Sequence, residues 1–144
     1  AQTAQSPLVL LGGAAATLLK RRGSLQDIDQ MALLRPHVKW AAAARRVAEL
    51  APLVERAFRE AQSGVPGPVF VECPIDLLYD EATVRQLYLG ASKGTSLAAR
   101  ATRLYLNAHA ARLFAGAGRA TIAPPVAVEP PLARSRQRFE QVSS

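Results

Sequence analysis

The hydrophobic positions of the chain predict two buried strands. Apolar residues fill positions 8–11 of the segment 6–11, and Gly12-Gly13 closes this run. A continuous apolar run of this length is typical of a parallel strand that is covered on both faces. A second run occupies residues 69–73, directly after the turn sequence Pro66-Gly67. Both segments are therefore predicted to lie inside a sheet.

One helix is predicted between the two strands. Apolar residues recur at helical intervals between Val47 and Ala61, and Gly64 suits the left-handed end of that helix. The order strand, helix, strand implies a right-handed crossover between parallel strands. The predicted fold class is therefore α/β, with a partial, Rossmann-like parallel sheet that we expect to occupy residues 1–80.

A short helix is predicted between the first strand and the central helix. Ser24, followed three residues later by Asp27, resembles a capping box, and Arg35-Pro36 ends the helix that it opens. Gln26 then falls in the first helical turn, near free backbone N–H groups. Asp27 and Asp29 are interpreted as first-turn charges that favour the helix dipole.

The remainder of the chain predicts a linker and a tail. Ser96 caps a further helix, which we expect to act as an amphipathic linker within residues 81–117. The apolar stripe predicted for this helix comprises Leu97, Ala101, Leu104, Ala108 and Ala111. Residues 118–144 are rich in Pro, Ala, Arg and Ser and poor in large apolar side chains, so this segment is expected to be a disordered tail.

The positive charge of the chain raises the question of nucleic-acid binding. The formal net charge is +7, but fifteen of the eighteen basic residues are arginines scattered from Arg21 to Arg138. No aromatic residues interleave with them to stack on bases. Solvated surface charge is therefore favoured, and no nucleic-acid partner is expected. The longest apolar stretch, residues 7–19, is too short to span a bilayer, so no transmembrane or targeting segment is predicted in this sequence.

Candidate chemistry is sparse when the residues are considered alone. Gly12-Gly13 could admit a phosphate, but the pair lacks the spaced glycines of a dinucleotide site, so a simple turn is favoured. His37 and His109 form no metal-ligand pair, and we interpret each as a polar surface or cap residue. Cys73, inside an apolar run, is interpreted as a buried structural thiol. The residues thus indicate no catalytic group and no metal site.

Two stretches resemble the thiamine diphosphate (ThDP) enzymes of the acetolactate synthase type. Residues 23–30 read Gly-Ser-Leu-Gln-Asp-Ile-Asp-Gln, and residues 35–40 read Arg-Pro-His-Val-Lys-Trp. These are similar to the Phe-Gln-Glu and Arg-Pro-x-x-Lys-Trp block of the family's pyrimidine-binding domain. Residues 63–76, with the sequence Ser-Gly-Val-Pro-Gly-Pro-Val-Phe-Val-Glu-Cys-Pro-Ile-Asp, resemble a second family segment. One branch of the family, described as 2-hydroxyacyl-CoA lyase, is resembled most. The residues that carry this resemblance are leucine for phenylalanine at position 25, aspartate for glutamate at position 27, and the downstream stretches 105–107 and 113–117.

The resemblance implies an activity and a set of site residues. It implies a ThDP- and Mg²⁺-dependent lyase or carboligase that acts on the carbon–carbon bond next to a carbonyl, with an acyl-CoA or 2-oxo acid as substrate. Gln26 matches an active-site glutamine, Gly12 and Gly13 would shape the cofactor loop beside it, and Lys39 matches a lysine near the substrate channel. The alternative for Gln26 is a polar residue of the first helical turn without a role in the site, and the alternative for Lys39 is a surface charge. The family further implies a homo-oligomer, and an endoplasmic reticulum membrane association through segments outside this chain.

The sequence also departs from the family pattern. The Gly-Asp-Gly motif that holds magnesium and the diphosphate does not occur, and no acidic residue precedes Asp27 to act as the family's catalytic glutamate. We therefore expect these residues to be a fragment of the pyrimidine-binding domain that binds no cofactor tightly and is inactive alone. The alternative is a non-catalytic product that only pairs with full-length subunits.

Overall fold

The structure, a computed structural model, describes residues 1–25, 27–90 and 94–119. In these ranges one parallel sheet contains three strands in the order β1-β3-β2: β1 Leu8–Ala14, β2 Trp40–Ala43 and β3 Pro68–Pro74. Four α-helices accompany it: α1 Gln30–Leu34, α2 Val47–Gln62, α3 Glu81–Gly90 and α4 Leu97–Phe114. Short 3-10 turns lie at Arg35–His37, Ile75–Leu77 and Ala117–Arg119. The predicted α/β class with a parallel sheet is confirmed.

The central strand β3 is the most deeply buried element of the sheet. All seven of its residues are buried, as the apolar run predicts. Val69 pairs with Val9 on one side and with Trp40 on the other, so both edges of β3 are hydrogen-bonded. A strand with partners on both edges and cover on both faces needs a largely apolar sequence, and Glu72 is the one charged residue in β3.

Strand β1 departs from its prediction in two ways. Leu8, Leu10 and Leu11 are 43%, 37% and 59% exposed, so the expected cover on both faces is wrong for the described chain. Strand β1 is at the edge of the sheet, where it pairs only with β3 among the described strands, and helix α2 packs its buried alanines mainly against the central strand. The strand also continues through Gly12 and Gly13, so these glycines are not the simple exit turn that was predicted.

Helix α2 packs on the sheet as its spacing predicts. Ala57 and Ala61 face the sheet and are buried, and small side chains there let the helix approach closely. The Arg56 guanidinium lies 5.2 Å from the centroid of the Trp40 ring, a cation–π contact over β2. The cluster that these elements form contains Ala57, Ala61, Val69, Val71 and Cys73, with Val9, Trp40, Leu50 and Leu53 packed against it. Cys73 is buried, as expected.

Helix α1 begins later than predicted. Its N-cap is Asp29, whose side chain accepts a hydrogen bond from the Ala32 amide. Ser24 does not cap a helix, because its hydroxyl donates to the Leu19 carbonyl instead. Asp27 is likewise not a first-turn residue, since its carboxylate accepts from the Arg22 and Gly23 amides. The side chains of Ser24 and Asp27 are thus used in other hydrogen bonds, and Asp29, which directly precedes the helix, supplies the cap.

Helix α4 forms where it was predicted but buries a different face. Ser96 caps it by accepting from the Ala99 amide, as expected. The predicted apolar stripe is wrong, since Leu97 and Leu104 are exposed and the buried residues are Leu106, Ala110 and Leu113. Leu113 of this face belongs to a second cluster, whose other buried members are Ala44 and Leu77, with Val47, Leu50, Leu53, Tyr88 and Phe114 packed around them.

Most of the predicted tail, residues 120–144, lies outside the described residues, as do residues 91–93. The tail and the domain limits at residues 80 and 117 therefore stay predictions. Among the helices of the described ranges, none has the length and apolarity that crossing a membrane requires.

Candidate functional site

The carboxyl ends of the strands form the candidate site, because open parallel sheets bind ligands at that edge. Gly12 lies there in close contact with its neighbours. A β-carbon at Gly12 would lie 2.5 Å from Phe70 Cε2 and 2.6 Å from Gln30 Oε1, whereas one at Gly13 would meet nothing within 4 Å. The Gln30 side-chain amide donates to the Gly13 carbonyl at 2.6 Å. Gly12 is therefore required for packing, and Gln30 connects α1 to this edge.

A buried ion pair lies beside the glycines. Glu72, which pairs with Gly12 in the sheet, is 0% exposed, and its Oε2 accepts a hydrogen bond from Lys20 Nζ. Glu72 Oε1 has no hydrogen-bond partner among the described residues. Burying a carboxylate is costly unless a counter-charge accompanies it. Lys20 therefore allows Glu72 to occupy the interior, and it holds the loop after β1 against β3.

A second buried carboxylate, Asp76, organises four elements. Its Oδ2 accepts from the Thr17 amide at 2.9 Å, from the Thr17 hydroxyl, and from the Tyr88 hydroxyl at 2.6 Å. Thr17 Oγ1 lies 2.9 Å from His109 Nε2. We call Thr17, Asp76, Tyr88 and His109 the Asp76 cluster. It joins the loop after β1 to the turn after β3, to α3 and to α4.

The hydrogen bonds of the cluster define the tautomer of His109. The Thr17 hydroxyl donates its proton to Asp76, so it must accept from His109, and Nε2 therefore carries a hydrogen. Burial lowers the pKa of His109, and the Arg112 charge lowers it further, while Asp76 opposes both. The prediction that His109 is a surface or cap residue is wrong, since it is half-buried within the cluster. Burial, together with the bond to Asp76, raises the pKa of the Tyr88 hydroxyl.

The lowered pKa of His109 predicts that stability falls in mild acid. The unfolded state binds a proton near pH 6.5, the ordinary value, and the folded state binds it only at lower pH. The free energy of unfolding should therefore decrease as the pH falls below about 7. Urea unfolding between about pH 7.5 and 5.5 measures this slope. His109→Gln keeps a donor towards Thr17 and removes the titration, so a slope unchanged in that variant would contradict the prediction.

Lys39 lies at the other end of the sheet. Its Nζ donates to the carbonyls of Glu60 and Ser63, and so caps the carboxyl end of α2. The Lys39 amide donates to the Pro68 carbonyl at the start of β3, four residues before Glu72. At about 3.3 Å per residue this separates the two sites by roughly 13 Å along the strand. The structure therefore does not bring Lys39 together with Gly12 and Gly13, although an open depression of about 400 Å³ surrounds it.

Comparison with known proteins identifies relatives over nearly the whole chain. The chain is 47% identical over 137 residues to 2-hydroxyacyl-CoA lyase 2 of Danio rerio and 44% identical over 137 residues to that of Homo sapiens, in each case over 95% of the chain. It is also 42% identical over 76 residues, 53% of the chain, to a probable acetolactate synthase of Mycobacterium bovis. The chain belongs to the family of 2-hydroxyacyl-CoA lyases and acetolactate synthases. No family model matches the sequence.

The chain spans about a fifth of the length of the 2-hydroxyacyl-CoA lyases, 22% of both the zebrafish and the human protein. The match to the mycobacterial acetolactate synthase covers 14% of that protein. The identities to these relatives confirm the family resemblance that the two motif stretches indicated. This family is in general ThDP-dependent. The activity of the whole lyase does not follow from a segment of this size.

Gln26, which the resemblance predicts to match the family's active-site glutamine, lies outside the described residues. Its neighbours in sequence are described: Leu25 is 90% exposed, and Asp27 closes the turn by accepting from the Arg22 and Gly23 amides. The role of Gln26 stays a prediction, as do those of Gly12, Gly13 and Lys39.

Two buried carboxylate oxygens at this edge are unsatisfied within the described ranges. Glu72 Oε1 and Asp76 Oδ1 are buried without hydrogen-bond partners in the described ranges, and such oxygens suit N–H or O–H donors. A diphosphate needs cations: Lys20 is paired with Glu72, whereas the neighbouring Arg21 and Arg22 are exposed. Within the described ranges no three His, Cys, Asp or Glu side chains converge to hold a metal.

Sequence reasoning missed Lys20, Glu72, Thr17 and Asp76. Glu72 carried a signal, because a single carboxylate inside a run of buried apolar residues requires a partner. Its partner and that of Asp76 lie 52 and 59 positions away, respectively, beyond the reach of local patterns.

Proposed function

We propose that this chain contributes part of the pyrimidine-binding domain of a ThDP- and Mg²⁺-dependent lyase or carboligase. The whole protein would act on the carbon–carbon bond next to a carbonyl, with 2-hydroxyacyl-CoA as the favoured substrate and 2-oxo acids as a related class. When bound, the cofactor supplies the carbon nucleophile and accepts the electron pair of the broken bond. These residues alone would bind the cofactor weakly and would not turn over substrate.

The observation that carries this proposal is the identity to 2-hydroxyacyl-CoA lyase 2 over 95% of the chain. The geometry supports it, because the loop that bears Gln26 starts from the carboxyl edge where α/β sheets bind ligands. Gly12 and Gly13 would shape the wall of the pocket at that edge. Gln26 would contact the substrate or cofactor, and Lys39 would lie near the route of the substrate.

The assembly and location of the whole protein belong to the same proposal. We propose a homo-oligomer in which the active site forms between subunits, and an association with the endoplasmic reticulum membrane through other segments. A non-catalytic role is the second candidate, in which the chain pairs with full-length subunits. The exposed leucines of β1, whose outer edge pairs with no other strand in the described ranges, favour such pairing.

A chimaera tests the proposed function. The homologous segment of zebrafish 2-hydroxyacyl-CoA lyase 2 is replaced by this chain, and cleavage of a 2-hydroxyacyl-CoA is measured with ThDP and Mg²⁺ present. We expect the chimaera to be active and Gln26→Ala to lower kcat/KM by at least about tenfold. The unmodified zebrafish protein is the control. A folded chimaera without activity would contradict the proposal.

The isolated chain provides the complementary measurement. Calorimetric titration with ThDP and Mg²⁺ should show no heat, and the melting temperature should not rise. Micromolar binding with a raised melting temperature would contradict the claim that these residues do not form the cofactor site alone.

A further inference from the structure

Helix α4 has apolar residues on two opposite sides. On one side Leu106, Ala110 and Leu113 are buried. Residues two positions earlier lie about 160° away around a helix, and there the apolar residues are exposed. These exposed residues, which we call the outer stripe, are Leu97, Ala101, Leu104, Ala108 and Ala111. A helix that is apolar on all sides is typical of one that is covered on all sides.

The spacing of the outer stripe fits a partner helix. Its members are separated by four, three, four and three positions, which is the heptad repeat of a seam between two helices. Leu97 and Leu104 are 82% and 73% exposed, so they provide large apolar side chains for such a seam. The alanines between and beyond them allow the axis of a second helix to approach closely. A strand would not match this repeat, because its side chains alternate with a period of two.

The charges beside the outer stripe indicate the chemistry of the partner. Arg100 and Arg112 are exposed and flank the stripe, one on each side. Residues in these positions form ion pairs across a helical seam. The 18 residues of α4 include no Asp or Glu, so a second copy of α4 would bring arginine against arginine. A helix with acidic residues beside its own apolar stripe is the complementary partner.

We propose that the outer stripe of α4 is the interface for an acidic amphipathic helix from another part of the lyase. The inference rests on the proposed function in one respect, that this chain is a segment of a larger lyase. The matched residues make up 22% of the zebrafish lyase, so most of that protein is available to supply the helix. With both sides covered, α4 would join the parallel sheet to the rest of the enzyme.

Cysteine labelling in the chimaera tests whether the outer stripe is covered. Ala108→Cys places a thiol within the stripe, and Thr102→Cys places one at an exposed position about 120° away on the same helix. Labelling by a water-soluble maleimide is followed on the α4 peptide by mass spectrometry, relative to the urea-unfolded protein. Ala108→Cys should react at least about tenfold more slowly than Thr102→Cys, because a docked helix must first open. Equal rates would overturn the proposal.

A second thiol position protects this test against a folding defect. Leu104→Cys lies in the same stripe and should show the same slow labelling. Labelling of Leu104→Cys as fast as that of Thr102→Cys, in a folded chimaera, would also overturn the interface.

Charge reversal tests whether the partner is acidic. In the Ala108→Cys chimaera, Arg100→Glu combined with Arg112→Glu should speed labelling at least about threefold, because like charges then face each other. Arg100→Lys combined with Arg112→Lys keeps both charges and should leave the rate unchanged. If a second copy of α4 were the partner, glutamate would face glutamate as arginine had faced arginine, and reversal would have no effect. An unchanged rate on charge reversal would therefore overturn the acidic helix.

Labelling and turnover separate this inference from the proposed function. A folded chimaera that is inactive but labels Ala108→Cys slowly would contradict the proposed function and leave the interface standing. An active chimaera that labels Ala108→Cys as fast as Thr102→Cys would overturn the interface and leave the proposed function standing.

Discussion

Replacing Lys20 by methionine should lower the free energy of unfolding by about 3 kcal/mol. The substitution leaves the Glu72 carboxylate fully buried without its counter-charge, and an uncompensated buried charge costs several kcal/mol. Glu72→Gln should lower the free energy of unfolding by less, because the Lys20 side chain is 32% exposed and water can solvate it when its partner is removed. Urea unfolding of the 144-residue chain at pH 7 measures both effects.

The double variant Lys20→Met with Glu72→Gln provides the decisive comparison. It removes both charges, so it should be more stable than Lys20→Met by at least about 1 kcal/mol, although a buried amide still lacks partners. Arg22→Met, two residues along the same loop and exposed, is the control and should stay within about 0.5 kcal/mol of the parent chain. A Lys20→Met variant as stable as that control would show that the ion pair does not hold Glu72.

The second large effect is expected at Gly12. Gly12→Ala should lower the free energy of unfolding by about 2–3 kcal/mol, because the added carbon would lie 2.5 Å and 2.8 Å from two atoms of the Phe70 ring. Phe70 is 1% exposed in the central strand and has no room to move away. The other contact is the end of the flexible Gln30 side chain, which can turn aside only by leaving the Gly13 carbonyl.

Gly13→Ala is the matched control for this effect. Gly13 belongs to the same strand, and its added carbon would meet nothing within 4 Å. The two variants change the unfolded chain in the same way, so their difference isolates the contact with Phe70. Gly13→Ala should stay within about 0.5 kcal/mol of the parent chain. Equal losses in the two variants would assign the effect to the backbone of β1 rather than to packing.

The sequence predicted those elements whose signal is local. The run at residues 69–73 and the helical spacing after Val47 identified β3 and α2, and Ser96 identified the cap of α4. Strand β2 was missed because Trp40–Ala43 is mostly alanine, which has low strand propensity and shows no alternation. Its position depends on pairing with β3, and no single segment contains that information. Helix α3 was missed because its buried face contains one fully buried residue, Val84.

The candidate site was predictable only in part. Gly12 was identified by its place after an apolar run, whereas Gln26 and Lys39, which resemblance to a family suggested, stay predictions. The charged residues at this edge were not identified, because Lys20 and Asp76 each bond a residue more than 50 positions away in the sequence. Local patterns indicate where a strand ends, whereas the partner of a buried carboxylate is decided by the tertiary fold.

The order of the strands also affects how the protein is synthesised. The central strand of the sheet is the last of the three in the chain, so β1 and β2 have no described partner until residues 68–74 leave the ribosome. At roughly 5–20 residues per second, the 60 positions between Leu8 and its partner Pro68 take on the order of 3–12 s to add. During that interval the leucines of β1 are available to chaperones and to other nascent chains. Synthesis speed between the codons of β1 and β3 should therefore influence the yield of folded protein.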